Sequence, residues 1–213
     1  MNLQTEPYLE QQRRWPASGR HILAQFDAST VVVYQAYRPA IGQYAAQYQC
    51  FGGEFSFSRM SWIKPNFLWM MYRCGWGTKP NQEVVLAVHL KREGFDETLS
   101  QAVHSTYIAA VYGSPEAWKA RVAESAVRLQ WDPDHDPSGV KQERRAIQLG
   151  LSGEVLRRYA KEWTVKIEDI SDFVAEQRQH VQAASLFQLV TPREDVYPVT
   201  NKEVAARLGV SPK

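Results

Sequence analysis

Two extended stretches of this chain end in the same punctuation, a cation followed by proline: "STVVVYQAYRP" at Ser29–Pro39 and "SRMSWIKP" at Ser58–Pro65. No other feature constrains the fold as much. The ring of a proline clashes with a helical conformation of the residue before it, so Arg38 and Lys64 must close extended segments. The same ring fixes φ for the first turn of a helix, where its missing N–H is not needed, so Pro39 and Pro65 each predict a helix start. Ahead of Pro39 the β-branched and aromatic residues predict a buried strand over Ser29–Tyr37; after it Ile41, Tyr44, Ala45 and Tyr48 recur at helical spacing.

Pro65 also sorts the most aromatic stretch, "FSFSRMSWIKPNFLWMMYRCGW" (Phe55–Trp76). With a helix beginning there, Phe67, Met70 and Cys74 share one side, with Ile63 leading in, and form a core stripe. Trp62, Asn66, Trp69 and Arg73 fall on the other side. Arginine and lysine are seldom buried without a partner, and an indole beside a guanidinium offers a stacking surface. Lys64 then sits beside the free N–H groups of a helix start, an arrangement suited to phosphate or carboxylate, and Arg59 lies upstream on the same entering segment. As braces, Arg59 and Arg73 would instead pair with acids such as Glu54 or Asp27. Arg38 before Pro39 repeats the pattern, so two helix N-termini, each preceded by a cation, converge on one anionic ligand if the segments pack side by side.

Downstream, "EVVLAVHL" (Glu83–Leu90) predicts a second strand, Phe95–Tyr112 a helix, and "SPEAWKARVAESA" a helix with Ser114 as N-cap and Pro115 in its first turn. "VRLQW" (Val127–Trp131) predicts a third strand, and "DPDHDPSG" (Asp132–Gly139) a loop with Asp-Pro and Ser-Gly turn signals. A short strand at Arg144–Leu151, a helix capped by Ser152, a strand at Trp163–Ile170 and a helix from Ser171 follow. Strands and helices mix without the regular alternation or glycine fingerprint of a nucleotide-binding parallel sheet. The expected fold is therefore α+β, a single domain with a mixed, split sheet flanked by helices. That domain is expected over residues 20–198, with a loosely ordered N-terminal arm over 1–19 and a polar C-terminal tail over 199–213, helical around Glu203.

Overall charge excludes little, since 25 Lys and Arg against 23 Asp and Glu give a net charge of only +2. Any nucleic-acid partner must therefore be recognised by local basic clusters. Cys50 and Cys74 sit in apolar stretches and read as buried free thiols. The first residues are polar and broken by Pro7 and Pro16, without the apolar run of a signal peptide, and no window approaches the roughly 20 apolar residues of a membrane span. A soluble cytoplasmic protein with no membrane partner is expected.

No metal is expected either. Asp132, Asp134, His135 and Asp136 cluster in "QWDPDHDPSG", but the segment lacks the central glycine and distal glutamate of a calcium loop, and one histidine does not make a zinc site. Asp132, next to Trp131 at a strand end, is the candidate for general-base or hydrogen-bonding work. The sequence has no nucleophile elbow, zinc-protease helix, P-loop or kinase signature, which disfavours classical hydrolase and NTPase chemistry.

The combination of "VVVYQAYRPAIG", "SRMSWIKPNFLWMMYRCGW", "VRLQWDPDH", "RRAIQLGL" and "WTVKIEDISDFV" resembles the family called domain of unknown function 4291, over about Arg20 to Pro198. The resemblance marks Arg38, Arg59, Trp62, Lys64, Trp69, Arg73, Trp131, Asp132 and Gln148 as signature positions. A strand ending in a basic residue, an aromatic insert and two late strands also resemble ADP-ribosyltransferases that modify nucleic acid, whose split mixed sheet holds NAD in its cleft. That similarity implies NAD as cofactor, Arg38 and Arg59 on its pyrophosphate, Trp62 or Trp69 stacked on a ring, and Gln148 on the ribose. Gln148 stands where those enzymes carry a glutamate; it can hydrogen-bond but cannot take a proton, which leaves Asp132 as the base. The expected partner is thus an anionic, nucleotide-like ligand with a nucleotide or nucleic-acid acceptor. The alternative is a binding module for single-stranded nucleic acid that uses the same Arg, Lys and Trp surface.

Overall fold

The computed structural model describes residues 2–212. In chain order the elements are β1 (Thr5–Pro7), α1 (Tyr8–Arg14), β2 (Gly19–Arg20), β3 (Leu23–Ala24), β4 (Thr30–Tyr37), α2 (Pro39–Tyr48), β5 (Ser61–Ile63), α3 (Phe67–Cys74), β6 (Val84–Lys91), α4 (Arg92–Gln101) and β7 (Val103–His104). They continue with α5 (Ala109–Tyr112), α6 (Pro115–Glu124), β8 (Val127–His135), β9 (Lys141–Leu151) and α7 (Gly153–Arg158), which runs on as a π-helical turn at Tyr159–Trp163. The chain closes with β10 (Thr164–Asp169), α8 (Ser171–Gln182), β11 (Val190–Pro192), β12 (Asp195–Val196) and α9 (Lys202–Leu208).

Two sheets dominate. One is antiparallel, in the order β10-β6-β4. The other is mixed: β8 and β9 are antiparallel, β2 and β7 add to it in parallel, and β5 pairs with β9. The fold is α+β with a split, mixed sheet. What joins the halves is an isolated bridge: Tyr34 on β4 donates its N–H to Lys64 O at 2.7 Å, and Lys64 donates back to Tyr34 O at 3.2 Å.

The valine run of β4 is continuous because both faces of its sheet are covered. Val31 and Val33 go to one core with Val84, Leu86, Val88 and Leu90, while Val32 and Tyr34 go to the other with Val85 and Ala87. Successive strand residues point to opposite faces, so one run of sequence serves two cores. The second core also takes Phe67, Met70, Met71 and Cys74 from α3. Cys74 is buried and Cys50 half-buried, and both thiols are free. Among the described residues no helix is long and apolar enough to cross a membrane.

Four segments differ from the sequence reading. The N-terminal arm is not loose: Tyr8, Gln11 and Trp15 are buried, and the Trp15 indole donates to Glu194 O at 2.8 Å. A tryptophan in a polar stretch is the anchor that average polarity conceals. The C-terminal tail is likewise packed, since Val204 and Leu208 of α9 belong to the first core. The helix expected over Phe95–Tyr112 ends at Gln101 and resumes only at Ala109, because Val103–His104 pairs with β8. Asp132–His135 is strand rather than loop, its Asp-Pro step absorbed as an irregularity in the β8–β9 register.

Gly94 of α4 lies face to face with Trp163, and a Cβ at this position would come within 2.4 Å of the indole Cγ. Gly94→Ala is therefore expected to lower stability by about 1–3 kcal/mol, despite the better helix propensity of alanine. Urea denaturation checks this; an unchanged or raised midpoint would contradict the packing of α4 on the π-helical turn.

Candidate functional site

Where the two sheets meet, a cleft of about 920 Å³ opens beside the Tyr34–Lys64 bridge. Its wall contains Arg38, which follows β4, Lys64, which follows β5, and Arg73 from the last turn of α3. Gln130 of β8, Gln148 of β9, and Arg59 and Trp62 from the segment entering α3 complete it. The cleft thus gathers Arg38, Arg59, Trp62, Lys64, Arg73 and Gln148 of the residues singled out from sequence. It holds four cations against one carboxylate, Glu54.

These cations differ in their surroundings. Arg38 is exposed and paired with Glu54 at 2.5 Å, a surface ion pair that contributes little to stability. Asp27 accepts hydrogen bonds from Ser29 and Thr30 instead of pairing with an arginine. Among the described residues, neither Arg59 nor Arg73 has a carboxylate within ion-pair distance, so the brace reading does not hold for them.

Lys64 is the unusual one. It is only 5% exposed, and among the described residues no group accepts a hydrogen bond from its amine. Burial pushes its pKa down to about 8, assisted by the positive charge of Arg73 and opposed by the negative charge of Asp132. A lysine this desolvated is normally paired; here the amine is not fully enclosed, and the cleft is what it opens to.

The helix behind Lys64 is not open to that anion. α3 begins at Phe67 rather than Pro65, with Asn66 as its cap accepting from Trp69 N–H at 2.7 Å. The buried Glu194 carboxylate accepts from Phe67 N–H at 2.6 Å and from Asn66 Nδ2 at 3.1 Å. The anion-attracting end predicted for this helix is real, but the chain fills it from within. What Lys64 can offer an anion is therefore its own amine.

Beside the segment that carries Lys64, whose β5 pairs with β9, Gln130 and Gln148 face each other across the antiparallel β8–β9 ladder. Gln148 Nε2 donates to Gln130 Oε1 at 2.8 Å and to Asp132 Oδ2 at 2.7 Å. Asp132 reaches the cleft through this contact; burial raises its pKa against the opposing pull of Gln148 and the positive charge of Lys64. Asp134, its neighbour in the motif, is withdrawn into a buried ion pair with Arg144 at 2.6 Å.

Trp62 owes its place to a glycine. It lies opposite Gly150 on β9, where a Cβ would stand 2.5 Å from Met60 Sδ and 3.0 Å from Trp62 Cε2. Two expected ligand residues lie elsewhere. Trp69 is buried, stacked on Tyr72 and His135 at ring-centre distances of 5.5 and 5.4 Å. Trp131 points to the other face of β8, where its indole donates to Leu208 O at 2.8 Å. Met70, assigned to the core, both belongs to it and touches the cleft. Sequence reasoning missed Gln130 and Gly150, which the two-residue period of strands finds once Asp132 and Gln148 are placed. Among the described residues no three His, Cys, Asp or Glu side chains converge to hold a metal ion.

Lys64 sets a pH dependence with a definite sign. Its amine titrates near 10.5 when free and near 8 in the fold, so in between the unfolded chain holds the proton and the folded chain does not. Its opposition to folding is full below about pH 8 and fades as the pH rises toward 10.5. Lys64→Met is expected to be more stable than the parent at neutral pH by about 2–3 kcal/mol, with the difference shrinking by pH 10. Denaturation of both proteins across this range checks the sign; a gap independent of pH would contradict the depressed pKa.

The model of the family described as domain of unknown function (DUF4291) matches residues 21–197. The chain belongs to that family. No curated protein matches it.

Proposed function

We propose that this member of the DUF4291 family is a nucleotide-binding enzyme of ADP-ribosyltransferase type, which takes NAD into the cleft and passes ADP-ribose to a nucleotide or nucleic-acid acceptor. The observation that carries the reading is Lys64: a largely buried side chain whose amine has no partner among the described residues, in the wall of a cleft that also contains Arg59 and Arg73 without carboxylate partners. A pyrophosphate supplies the anionic oxygens these groups lack, and bonds to charged donors are the strong ones in a desolvated site. The half-buried Trp62 offers a ring face beside them for stacking.

NAD supplies the ribosyl group and the leaving nicotinamide. On this reading the cations hold the pyrophosphate and the row of Gln130, Gln148 and Asp132 faces the nicotinamide end. Breakage of the glycosidic bond leaves its electron pair on the pyridine nitrogen, whose positive charge is thereby neutralised. The acceptor atom bonds to the ribose carbon and loses its proton. On this reading Asp132, whose Oδ1 makes no hydrogen bond among the described residues, takes that proton.

Calorimetric titration with NAD and with ADP-ribose tests the binding step. Both are expected to bind the parent, and Arg73→Ala or Lys64→Met to weaken them by about 10- to 100-fold with folding intact. Incubation with NAD and short oligonucleotides or free nucleotides tests transfer, with nicotinamide release expected from the parent and lost in Asp132→Ala while ADP-ribose still binds. Unchanged affinity in both cleft variants would refute the placement of the ligand.

A further inference from the structure

The two glutamines form a fixed reader rather than two flexible amides. Asp132 as carboxylate can only accept, so Gln148 must turn its amine toward it, which removes the usual freedom of an amide to flip. The second hydrogen of the same amine goes to Gln130 Oε1, at 2.8 Å, and this fixes Gln130 as well. What remains unused is one acceptor, Gln148 Oε1, and one donor, Gln130 Nε2. Neither is used by another described residue, both side chains line the cleft, and neither atom is buried away from it.

We infer that the Gln130–Gln148 pair, held by Asp132, recognises a carboxamide, and that on the NAD-binding reading it rests upon, this is the carboxamide of the nicotinamide ring. The carboxamide oxygen accepts from Gln130 Nε2 and its amine donates to Gln148 Oε1. A carboxylate in the same place has no hydrogen to give and turns a negative oxygen toward Gln148 Oε1 with Asp132 behind it. The pair therefore discriminates amide from acid whichever way the ligand approaches. Gln130 and Gln148 are specificity residues, and Asp132 acts here as a positioning residue through Gln148.

The test compares three ligands that share the pyrophosphate and both riboses: NAD, its analogue with nicotinic acid in place of nicotinamide, and ADP-ribose. Calorimetry on the parent protein is expected to show NAD tighter than the acid analogue by about 10- to 100-fold. Asp132→Asn lets Gln148 turn over, so it is expected to bring the ratio of NAD to acid-analogue affinity toward one, on top of any common shift that loss of its charge beside Lys64 imposes on all three ligands. Gln130→Leu is expected to lower NAD affinity but not that of ADP-ribose. A merely structural role for Asp132 would shift all three ligands together. Equal binding of NAD and the acid analogue by the parent would overturn the reader while leaving the cleft as a nucleotide site. Failure of all three to bind would overturn the NAD reading, and this inference with it.

Discussion

The pair of hydrogen bonds between Tyr34 and Lys64 is the contact on which the rest depends. Among the described residues it is the only ladder step that ties β4 of the antiparallel sheet to the segment carrying β5, and β5 is in turn paired to β9 of the mixed sheet. The chain enters this step from Trp62 and Ile63 and leaves it through Pro65, which cannot continue a ladder. The backbone of Lys64 is thus fixed on both sides while its side chain is left at the seam between two sheets. A cleft at such a seam follows from the topology, because two twisted sheets joined at one point diverge on either side of it.

Lys64 in that position opposes folding. Its side chain is largely buried, and the nearest helix end is already satisfied by Glu194, itself a carboxyl whose pKa burial raises well above the usual range. The surrounding structure accommodates this through two dense apolar cores and through the buried pinning of the N-terminal segment to Glu194 by Trp15 and Gln11. A residue that works against stability while lining a cleft is the pattern expected where binding, not packing, sets the choice of side chain. Arg73 adds to the positive field around Lys64 and the negative charge of Asp132 moderates it.

Much of this was legible in the sequence because proline and strand periodicity act locally. Arg38-Pro39 and Lys64-Pro65 located both segment ends, while convergence of the two cations on one cleft depended on the segments packing side by side, which the Tyr34–Lys64 bridge provides. The start of α3 was misplaced by two residues because Asn66 caps more strongly than Pro65 initiates. Trp69 and Trp131 were not separable from Trp62 by composition: whether an indole faces a cleft or a core depends on partners such as His135 and Leu208 that lie far along the chain. Glu194 was illegible for the same reason, since nothing near it in sequence announces that it caps a helix 127 residues away. Gln148 was found, but its bond to Gln130 required the β8–β9 register.

The most direct test is an NMR titration of the Lys64 amine in protein labelled at lysine Cε, with Lys64→Met to assign the signal. The account predicts one lysine titrating near 8, absent from the variant, that moves back toward 10.5 when ADP-ribose is added. A Lys64 signal that titrates near 10.5, or a depressed one that ADP-ribose leaves in place, would contradict it.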